Sequence, residues 1–304
     1  MAEGSFDAIH VCSPGPVGIA GALVSRGLSV PLLGSYHTEL TAYAGLRSGE
    51  ASVADAMSAA VSTFYGACDL VLSPSPASDA ALRELGIAAE RIERWDRGVD
   101  SARFDPALRG LPPGPACAPG AVNVLYSGRL TLEKGADLLA DAFLAARAKD
   151  PRLHLVLAGG GPEQQRLSEK VGETATFLGW LEGADLARAY ASADIFLFAS
   201  RTDTFGQVIL EAQASGLAVV AVAAGGPLSL IEDGVSGLLR PPDARALADA
   251  VLRLARSPRL RERLARGGLA SARERTWEQA LARLAAAYRR VLASGESSQV
   301  ARAA

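Results

Sequence analysis

The sequence of 304 residues predicts an α/β protein built from two doubly wound, Rossmann-like lobes. Short apolar runs alternate along the chain with stretches of helical periodicity. The apolar runs are nearly continuous, which is typical of parallel strands that are covered by helices on both faces. A segment rich in proline and glycine divides this pattern. We therefore expect two lobes rather than one.

Four apolar runs predict the strands of the first lobe, which we place at residues 1–105. They are Ile9 to Cys12, Pro31 to Tyr36, Leu70 to Leu72 and Ile92 to Trp95. A doubly wound lobe normally holds about five to seven strands. The first lobe is therefore expected to be a partial or reduced version of this fold.

The segment 106–120 is predicted to be a linker between the lobes. It contains five prolines and three glycines and has no apolar period. Proline cannot donate a hydrogen bond to a β-ladder and cannot propagate a helix. A linker is the structure that this composition favours.

The second lobe, at residues 121–275, is predicted from five more apolar runs separated by helical stretches such as Gly135 to Ala148 and Asp185 to Ala191. The runs are Val122 to Tyr126, Leu153 to Ala158, Thr176 to Leu178, Ile195 to Phe198 and Val219 to Val222. After them, residues 276–304 carry a helical period through Leu284, Tyr288 and Val291.

Composition and charge exclude several classes of protein. The net charge of −2 gives no general basic field for nucleic acid. The cysteines, Cys12, Cys68 and Cys117, are odd in number and far apart, which argues against a disulfide framework and fits a reducing cytoplasm. Glu3 and Asp7 stand where a signal peptide would be positive. The basic stretch 256–275 is interpreted as a solvated helix surface, or as a weak contact with the inner face of a membrane.

A first candidate site follows the strand Val122 to Tyr126. It contains Ser127-Gly128-Arg129-Leu130 and then Glu133-Lys134-Gly135. Open α/β sheets bind ligands at the carboxyl ends of their strands, and Gly128 permits a close backbone approach there. A guanidinium and an ammonium together suit a pyrophosphate. The alternative is a pair of surface cations at the start of a helix.

A second candidate site spans residues 200–212, where a helix is predicted to begin near Phe205. Its first backbone amides would form an anion site. Asp203 lies in the preceding loop, and Glu211 lies in the second turn between apolar neighbours. A half-buried carboxylate needs hydroxyl or N–H partners, and the vicinal diol of a ribose or pyranose is one such partner. The alternative is a capping Asp and an ordinary helix Glu.

Other motifs narrow the chemistry further. The turn Gly159-Gly160-Gly161 follows a strand, but it is not the G-x-G-x-x-G pattern of nicotinamide enzymes. His37 ends the strand that begins at Pro31, where a structural and a catalytic role are both open. The sequence has no D-x-D pair, H-E-x-x-H, G-x-S-x-G or Walker motif, so metal-assisted and serine hydrolysis are disfavoured.

Taken in order, these motifs resemble the retaining glycosyltransferases of family 4, which have the GT-B fold. The resemblance runs from about Val122 to Leu239 through S-G-R-L, E-K-G, A-G-G-G-P, the acidic pair Asp203 and Glu211, and G-G-P followed by E-D-G-V-S-G-L-L. In the first lobe, H-V-C-S-P-G-P-V-G, G-S-Y-H-T-E-L and R-G-V-D-S-A-R-F look like the GDP-mannose-dependent and related bacterial members, which modify lipids or small glycans.

The resemblance implies an enzyme that moves a hexose, mannose or glucose, from a GDP- or UDP-sugar to an acceptor hydroxyl on a lipid or small glycan. It further implies retention of the anomeric configuration, no metal, and no cofactor beyond the nucleotide-sugar co-substrate. The helix in 276–304 would cross back to the first lobe. The implied localisation is the cytoplasm, and a position at the inner face of the membrane is the alternative.

The resemblance also assigns roles to single residues. Arg129 and Lys134 would hold the diphosphate and stabilise its charge as it leaves. Glu211 would bind the ribose, and His37 would reach the sugar from the other lobe. The remaining donor-binding positions are Gly128, Gly160, Asp203 and the amides of Thr204, Phe205 and Gly206.

Two departures from the family pattern affect these expectations. The first acidic position is usually Glu and is here Asp203, which is shorter by one methylene. Relatives also carry strands and a Gly-rich acceptor loop before the equivalent of Ile9, so the first lobe is expected to have an exposed sheet edge open to oligomer formation. A non-catalytic nucleotide-sugar-binding remnant is therefore the alternative function. A sugar-nucleotide epimerase is a third hypothesis, which release of isomerised sugar would reveal.

Overall fold

The computed structural model describes residues 6–111, 118 and 120–303, with side chains up to residue 293. The chain forms two compact units, one of Met1–Arg97 with Glu278–Ala304 and one of Gly98–Trp277. Within the segment interpreted as a linker, Pro106–Leu108 forms a single 3₁₀ turn. Residues 112–117 and 119 of that segment, which include Cys117, lie outside the described residues.

The first unit contains a parallel four-stranded sheet with the strands in sequence order. Its strands are β1 (Ile9–Val11), β2 (Leu32–Ser35), β3 (Leu70–Ser73) and β4 (Ile92–Arg94). The four predicted strands are confirmed, with ends that differ by at most one residue. Every residue of β2 and β3 is buried, as expected for strands covered on both faces.

Four helices connect these strands. They are α1 (Pro16–Leu28), α2 (Leu40–Ser48), α3 (Ala51–Gly66) and α4 (Pro76–Glu84). The start of α4 follows from its sequence, because the Ser75 hydroxyl accepts a hydrogen bond from the Ser78 amide and proline occupies the first helical position. Cys12 and Cys68 form no disulfide within the part of the chain that is described.

The second unit contains a parallel six-stranded sheet. Its strands are β5 (Val122–Ser127), β6 (Leu153–Ala158), β7 (Ala175–Gly179), β8 (Ile195–Phe198), β9 (Ala218–Val222) and β10 (Leu238–Arg240). The five predicted strands are confirmed. Sequence analysis missed β10, because it has only three residues and two of them are partly exposed. The α/β class with parallel sheets is thus confirmed for both units.

The helices of the second unit cover both faces of this sheet. They are α5 (Ala136–Arg147), α6 (Gln164–Val171), α7 (Gly183–Ser192), α8 (Gln207–Ala214), α9 (Pro227–Leu230), α10 (Ala244–Arg256) and α11 (Pro258–Arg273). Alternate residues of β5 enter different cores, since Val124 packs in one cluster and Leu125 in the other. The strands are almost continuously apolar because the side chains on both of their faces are buried in a core.

The last helix is α12 (Trp277–Ala303), and all of it after Trp277 belongs to the first unit. Its residues Leu284, Tyr288 and Val291 contact a cluster that contains Leu33 and Leu72 of the sheet. Arg283 and Arg290 form ion pairs with Asp96 and Glu93. No helix among the described residues has the length and apolar character required to cross a bilayer.

Candidate functional site

The strand order of the second unit places two loops side by side. The order of the strands in the sheet is β10-β9-β8-β5-β6-β7. Strands β6 and β7 therefore lie on one side of β5, and strands β8, β9 and β10 lie on its other side. Ligands of open α/β sheets bind at such a switch point, outside the carboxyl ends of the strands. The loops after β5 and β8 carry Arg129, Lys134 and Asp203. Two of the predicted motifs therefore meet at one edge.

The turn that carries Lys134 is fixed by the loop after β8. The Ser200 and Thr202 hydroxyls both donate to the Glu133 carbonyl, at 3.3 and 2.9 Å. Gly135 has φ +74° and lies so close to that loop that a Cβ would sit 2.3 Å from the Ala199 carbonyl oxygen. Only glycine fits this position, because both the backbone conformation and the space exclude a side chain. The Lys134 backbone is thereby held in place.

Lys134 and Asp203 form an ion pair across the switch point. The Lys134 Nζ lies 2.6 Å from Asp203 Oδ2, and both side chains are about one-fifth exposed, at 22% and 17%. The other carboxylate oxygen, Oδ1, accepts hydrogen bonds from the amides of Gly206 at 2.8 Å and Phe205 at 3.3 Å. Asp203 therefore holds the backbone of its own loop and contacts the cation, but it does not cap α8, whose N-cap residue is Gly206.

The helix after this loop begins later than predicted. It was expected near Phe205, but α8 starts at Gln207. The reason is that Asp203 takes the amides of Phe205 and Gly206, and Gly206 adopts φ +95° before the first helical turn. Thr204 and Phe205 are buried beside this turn. The amide of Gly226 donates to the Asp203 carbonyl at 2.8 Å and braces the loop from the neighbouring Gly225–Pro227 turn.

Arg129 lies in the loop after β5, next to the glycine turn after β6. Its side chain is exposed, and within the described residues it makes no ion pair. A Cβ on Gly159 would lie 2.0 Å from the Gly128 carbonyl oxygen, and one on Gly161 would lie 2.4 Å from the Leu130 carbonyl oxygen. The Leu130 amide donates to the Gly160 carbonyl at 3.0 Å. The glycines of the turn thus allow it to press directly against the backbone that presents Arg129.

Glu211 is a buried carboxyl group in the second turn of α8. Burial raises its pKa to about 7, while hydrogen bonds from Tyr190 and Gln207 and the charge of Arg103 act in the lowering direction. The Tyr190 hydroxyl donates to Glu211 Oε2 at 2.9 Å. Glu211 therefore has the half-buried position that sequence analysis predicted, with a hydroxyl partner.

Sequence analysis missed Tyr190. Its ring is fully buried, with Phe104 edge-on at 5.4 Å and Phe196 stacked at 5.7 Å between centroids. These contacts fix the hydroxyl that faces Glu211. The only available signal was a tyrosine among the small apolar residues of a predicted helix, and that pattern is equally typical of a core residue.

His37 belongs to the other compact unit. Its ring lies edge-on to Trp95 at 5.6 Å, and its Nδ1 is 3.2 Å from an Arg97 guanidinium nitrogen. Burial and the charge of Arg97 lower the pKa of His37 to about 4, so the imidazole is neutral at pH 7. The structure therefore brings Arg129, Lys134, Asp203 and Glu211 together in one unit and places His37 in the other.

Within the described residues, no group of three or more His, Cys, Asp or Glu side chains is arranged to hold a metal ion. The donors and charges at the carboxyl edge are cationic groups, hydroxyls and a protonatable carboxyl. Such a set can bind an anion and a diol.

Comparison with known proteins decides the family. The profile described as Glycosyltransferase Family 4 matches residues 1–103, and the profile described as Glycosyl transferases group 1 matches residues 121–257. A GDP-mannose-dependent alpha-mannosyltransferase of Mycobacterium tuberculosis is 37% identical over 274 residues, which cover 89% of this chain and 69% of the relative. The chain belongs to glycosyltransferase family 4.

Other relatives of this family 4 chain are longer than it is. A GDP-mannose-dependent alpha-mannosyltransferase of Corynebacterium glutamicum is 39% identical over 79% of this chain, which spans 56% of that relative. The sulfoquinovosyl transferase SQD2 of Arabidopsis thaliana is 34% identical over 78% of this chain, and the match spans 47% of it. The chain thus spans about half the length of these two proteins.

Solved structures confirm the GT-B fold of this family 4 chain. Sucrose-phosphate synthase from Thermosynechococcus elongatus superposes with a TM-score of 0.83 at 26% identity, covering 96% of this chain and 75% of that one. HepE of Anabaena, solved with UDP and glucose, gives a TM-score of 0.77 at 23% identity over 93% of this chain and 77% of its own.

Proposed function

We propose that this chain transfers a hexose from a nucleotide-diphosphate sugar to an acceptor hydroxyl, without a metal and with retention of the anomeric configuration. The observation that carries the proposal is the Lys134–Asp203 ion pair beside the exposed Arg129, at the switch point of a parallel sheet. A fixed ammonium and an exposed guanidinium at that edge suit the two phosphates of a nucleoside diphosphate.

Arg129 and Lys134 act on the leaving group in this proposal. As the bond from the anomeric carbon to the phosphate oxygen breaks, negative charge grows on the nucleoside diphosphate, and the two cations stabilise it. The acceptor oxygen forms the new bond to the anomeric carbon on the same face, and its proton passes to the departing phosphate. The ammonium of Lys134 is already held by Asp203, and the adjacent Glu133 carbonyl is held by Thr202.

Glu211 and the Asp203 loop contact the sugars of the donor in this proposal. Tyr190 occupies one lone pair of Glu211 Oε2, and a carboxylate has further acceptor positions for a ribose diol. The amides of Phe205 and Gly206 act by holding Asp203, and Asp203 and Thr204 contact the transferred hexose and its phosphate. Gly128 and Gly160 let the backbone approach the donor.

The choice of donor and acceptor follows the relatives. Three of them are named as GDP-mannose-dependent alpha-mannosyltransferases and three as D-inositol 3-phosphate glycosyltransferases, whereas the HepE structures hold UDP. GDP-mannose is therefore the first donor to test, followed by UDP-glucose. Lipids and small glycans with a free hydroxyl are the proposed acceptors. His37 is proposed as the contribution of the first unit, and H37A is expected to lower transfer.

The decisive test is thermal unfolding of the 304-residue chain with GDP, UDP and their sugars. A donor at 100 times its dissociation constant stabilises the fold by about 2.7 kcal/mol, which is readily measured. The double variant R129A/K134A is expected to lose this shift. K149A is the matched control, since Lys149 pairs with Asp249 on the exposed surface.

Two results would contradict the proposal. One is a folded wild-type chain that no donor stabilises, and the other is a double variant that is stabilised as strongly as the wild type. A donor that binds with neither transfer nor hydrolysis, across the acceptor panel, would instead identify a nucleotide-sugar-binding protein without catalysis.

A further inference from the structure

Trp180 is a large apolar side chain left in solvent at the carboxyl edge of the second sheet. It is 66% exposed and directly follows β7. This strand ends at the same edge as β5 and β8, whose loops carry Arg129, Lys134 and Asp203. Trp180 therefore does not serve the core, and its place at the ligand-binding edge of the sheet leaves the indole available to a ligand.

A bulge directs Trp180 to its position. In the ladder between β6 and β7, Leu157 pairs with Phe177 but Ala158 pairs with Gly179, so Leu178 is an extra residue. Gly179 has φ +67°, and its carbonyl accepts a hydrogen bond from the Gly159 amide at 2.7 Å. Bulges of this kind re-aim a side chain at the end of a strand. Here the bulge turns Trp180 toward the glycine turn after β6.

Gly160 provides the space for the indole. A Cβ at this position would lie 2.8 Å from Trp180 Nε1 and 3.4 Å from its Cδ1. Gly160 does not have a positive φ, so its backbone conformation does not require glycine. A side chain at this position would instead meet the indole of Trp180. The same glycine accepts a hydrogen bond from the Leu130 amide, next to Arg129. One continuous surface therefore runs from Arg129 over Gly160 to Trp180.

We propose that the indole of Trp180 stacks on the base of the donor nucleotide. The inference rests on the proposed function, in which Arg129 and Lys134 hold the diphosphate after β5. Strand β7 lies two strand spacings from β5, about 10 Å, on the side away from Asp203. A nucleoside that extends from the phosphates across the glycine turn ends at this ring. The planar indole offers stacking area to either base and more of it to a purine.

Calorimetric titration of the whole chain with GDP, UDP and inorganic pyrophosphate tests the proposal. W180A is expected to weaken GDP binding about tenfold, to weaken UDP binding less, and to leave pyrophosphate binding unchanged. W180F should retain most of the GDP affinity, since a phenyl ring also stacks. W277F is the matched control, because Trp277 is the other partly exposed tryptophan of this unit.

A spectroscopic measurement gives a second readout. The chain has three tryptophans, so W95F/W277F leaves Trp180 as the only indole fluorophore. GDP should quench its emission, and pyrophosphate should not. G160A offers a variant that keeps the indole but displaces it, and it should weaken GDP binding more than pyrophosphate binding.

The outcomes separate the two proposals. Wild-type affinity for GDP and UDP in W180A overturns the stacking role while donor binding stands, and so does a loss of pyrophosphate affinity as large as that of GDP. Reduced transfer with unchanged nucleotide affinity also overturns it, because the ring then serves the acceptor. A wild-type chain that binds pyrophosphate and neither nucleotide overturns both proposals.

Discussion

At the scale of single residues, Asp203 has two tasks that can be separated by experiment. One oxygen of its carboxylate holds the amides of Phe205 and Gly206 in the loop before α8, and the other pairs with Lys134. Asp243 also accepts a hydrogen bond from a backbone amide, that of Ala246 at the start of α10, and it makes no ion pair within the described part of the chain. The two aspartates therefore form a natural pair for comparison.

We expect D203A to lower the free energy of unfolding by about 1–3 kcal/mol, because two loop amides lose their acceptor, and also to abolish sugar transfer. D243A should lose a similar amount of stability and keep transfer. Chemical denaturation together with a transfer assay on both variants checks this. Equal activity in D203A and D243A would contradict a role for Asp203 beyond holding backbone amides.

Glu211 makes the stability of the protein depend on pH. Burial raises its pKa from 4.5 to about 7, so between these values the folded state holds a proton that the unfolded state has lost. Stability from this group is complete below pH 4.5 and falls as the pH rises toward 7. The shift corresponds to about 3 kcal/mol. E211Q should remove this fall, and the difference between wild-type and E211Q unfolding free energies across pH 4.5–7 measures it.

Tyr190 tunes the same group. Its hydrogen bond favours the ionised carboxylate, so Y190F should raise the pKa of Glu211 above 7. Arg103 and Gln207 are the other charged or polar groups that act on this carboxyl, and both remain in the variant. The pH at which GDP affinity falls by half should therefore move upward in Y190F. An unchanged midpoint would show that Tyr190 serves packing only.

At the scale of elements, the glycine turn after β6 depends on close contact with the loop after β5. Gly159 has φ +135°, and a Cβ there would meet the Gly128 carbonyl oxygen at 2.0 Å. G159A should therefore lower the unfolding free energy by about 1–3 kcal/mol and weaken nucleotide binding, because the Gly128–Arg129 backbone must shift.

Gly27 supplies the control for that variant. It lies in the last turn of α1, and a Cβ there would meet nothing within 4 Å. G27A should leave nucleotide binding unchanged and leave stability equal or up to about 1 kcal/mol higher. Denaturation and nucleotide titration of both variants check the pair, and equal stability for G159A and the wild type would refute the steric argument.

The sequence predicted most elements but not their details. Nine strands were found because each forms an apolar run, whereas β10 has only three residues and lies partly exposed. The late start of α8 and the bulge at Leu178 were missed, because each depends on a contact with another element. Asp203 must turn back to the Gly206 amide, and Gly179 must receive the Gly159 amide.

At the scale of the whole molecule, strand order decides which candidate residues meet. Lys134 and Asp203 are 69 residues apart and Tyr190 and Glu211 are 21 apart, yet each pair is in hydrogen-bond contact. Sequence reasoning placed Lys134, Asp203 and Glu211 near the carboxyl ends of strands, and the structure confirms that placement. For Asp203 it left two alternatives open, a helix cap and a site residue. In the structure Asp203 accepts from loop amides and is not the N-cap of α8.

The sequence by itself determined the α/β class, nine of the ten described strands and the family, and it predicted most residues of the candidate site, because each of these depends on local composition, period or motif. Only the tertiary structure decided that β8 lies beside β5, that Lys134 pairs with Asp203, that Tyr190 faces Glu211 and that Trp180 lies on Gly160. The physical reason is that such contacts join residues distant in the chain. They depend on how whole strands and helices pack, and no local pattern records that packing.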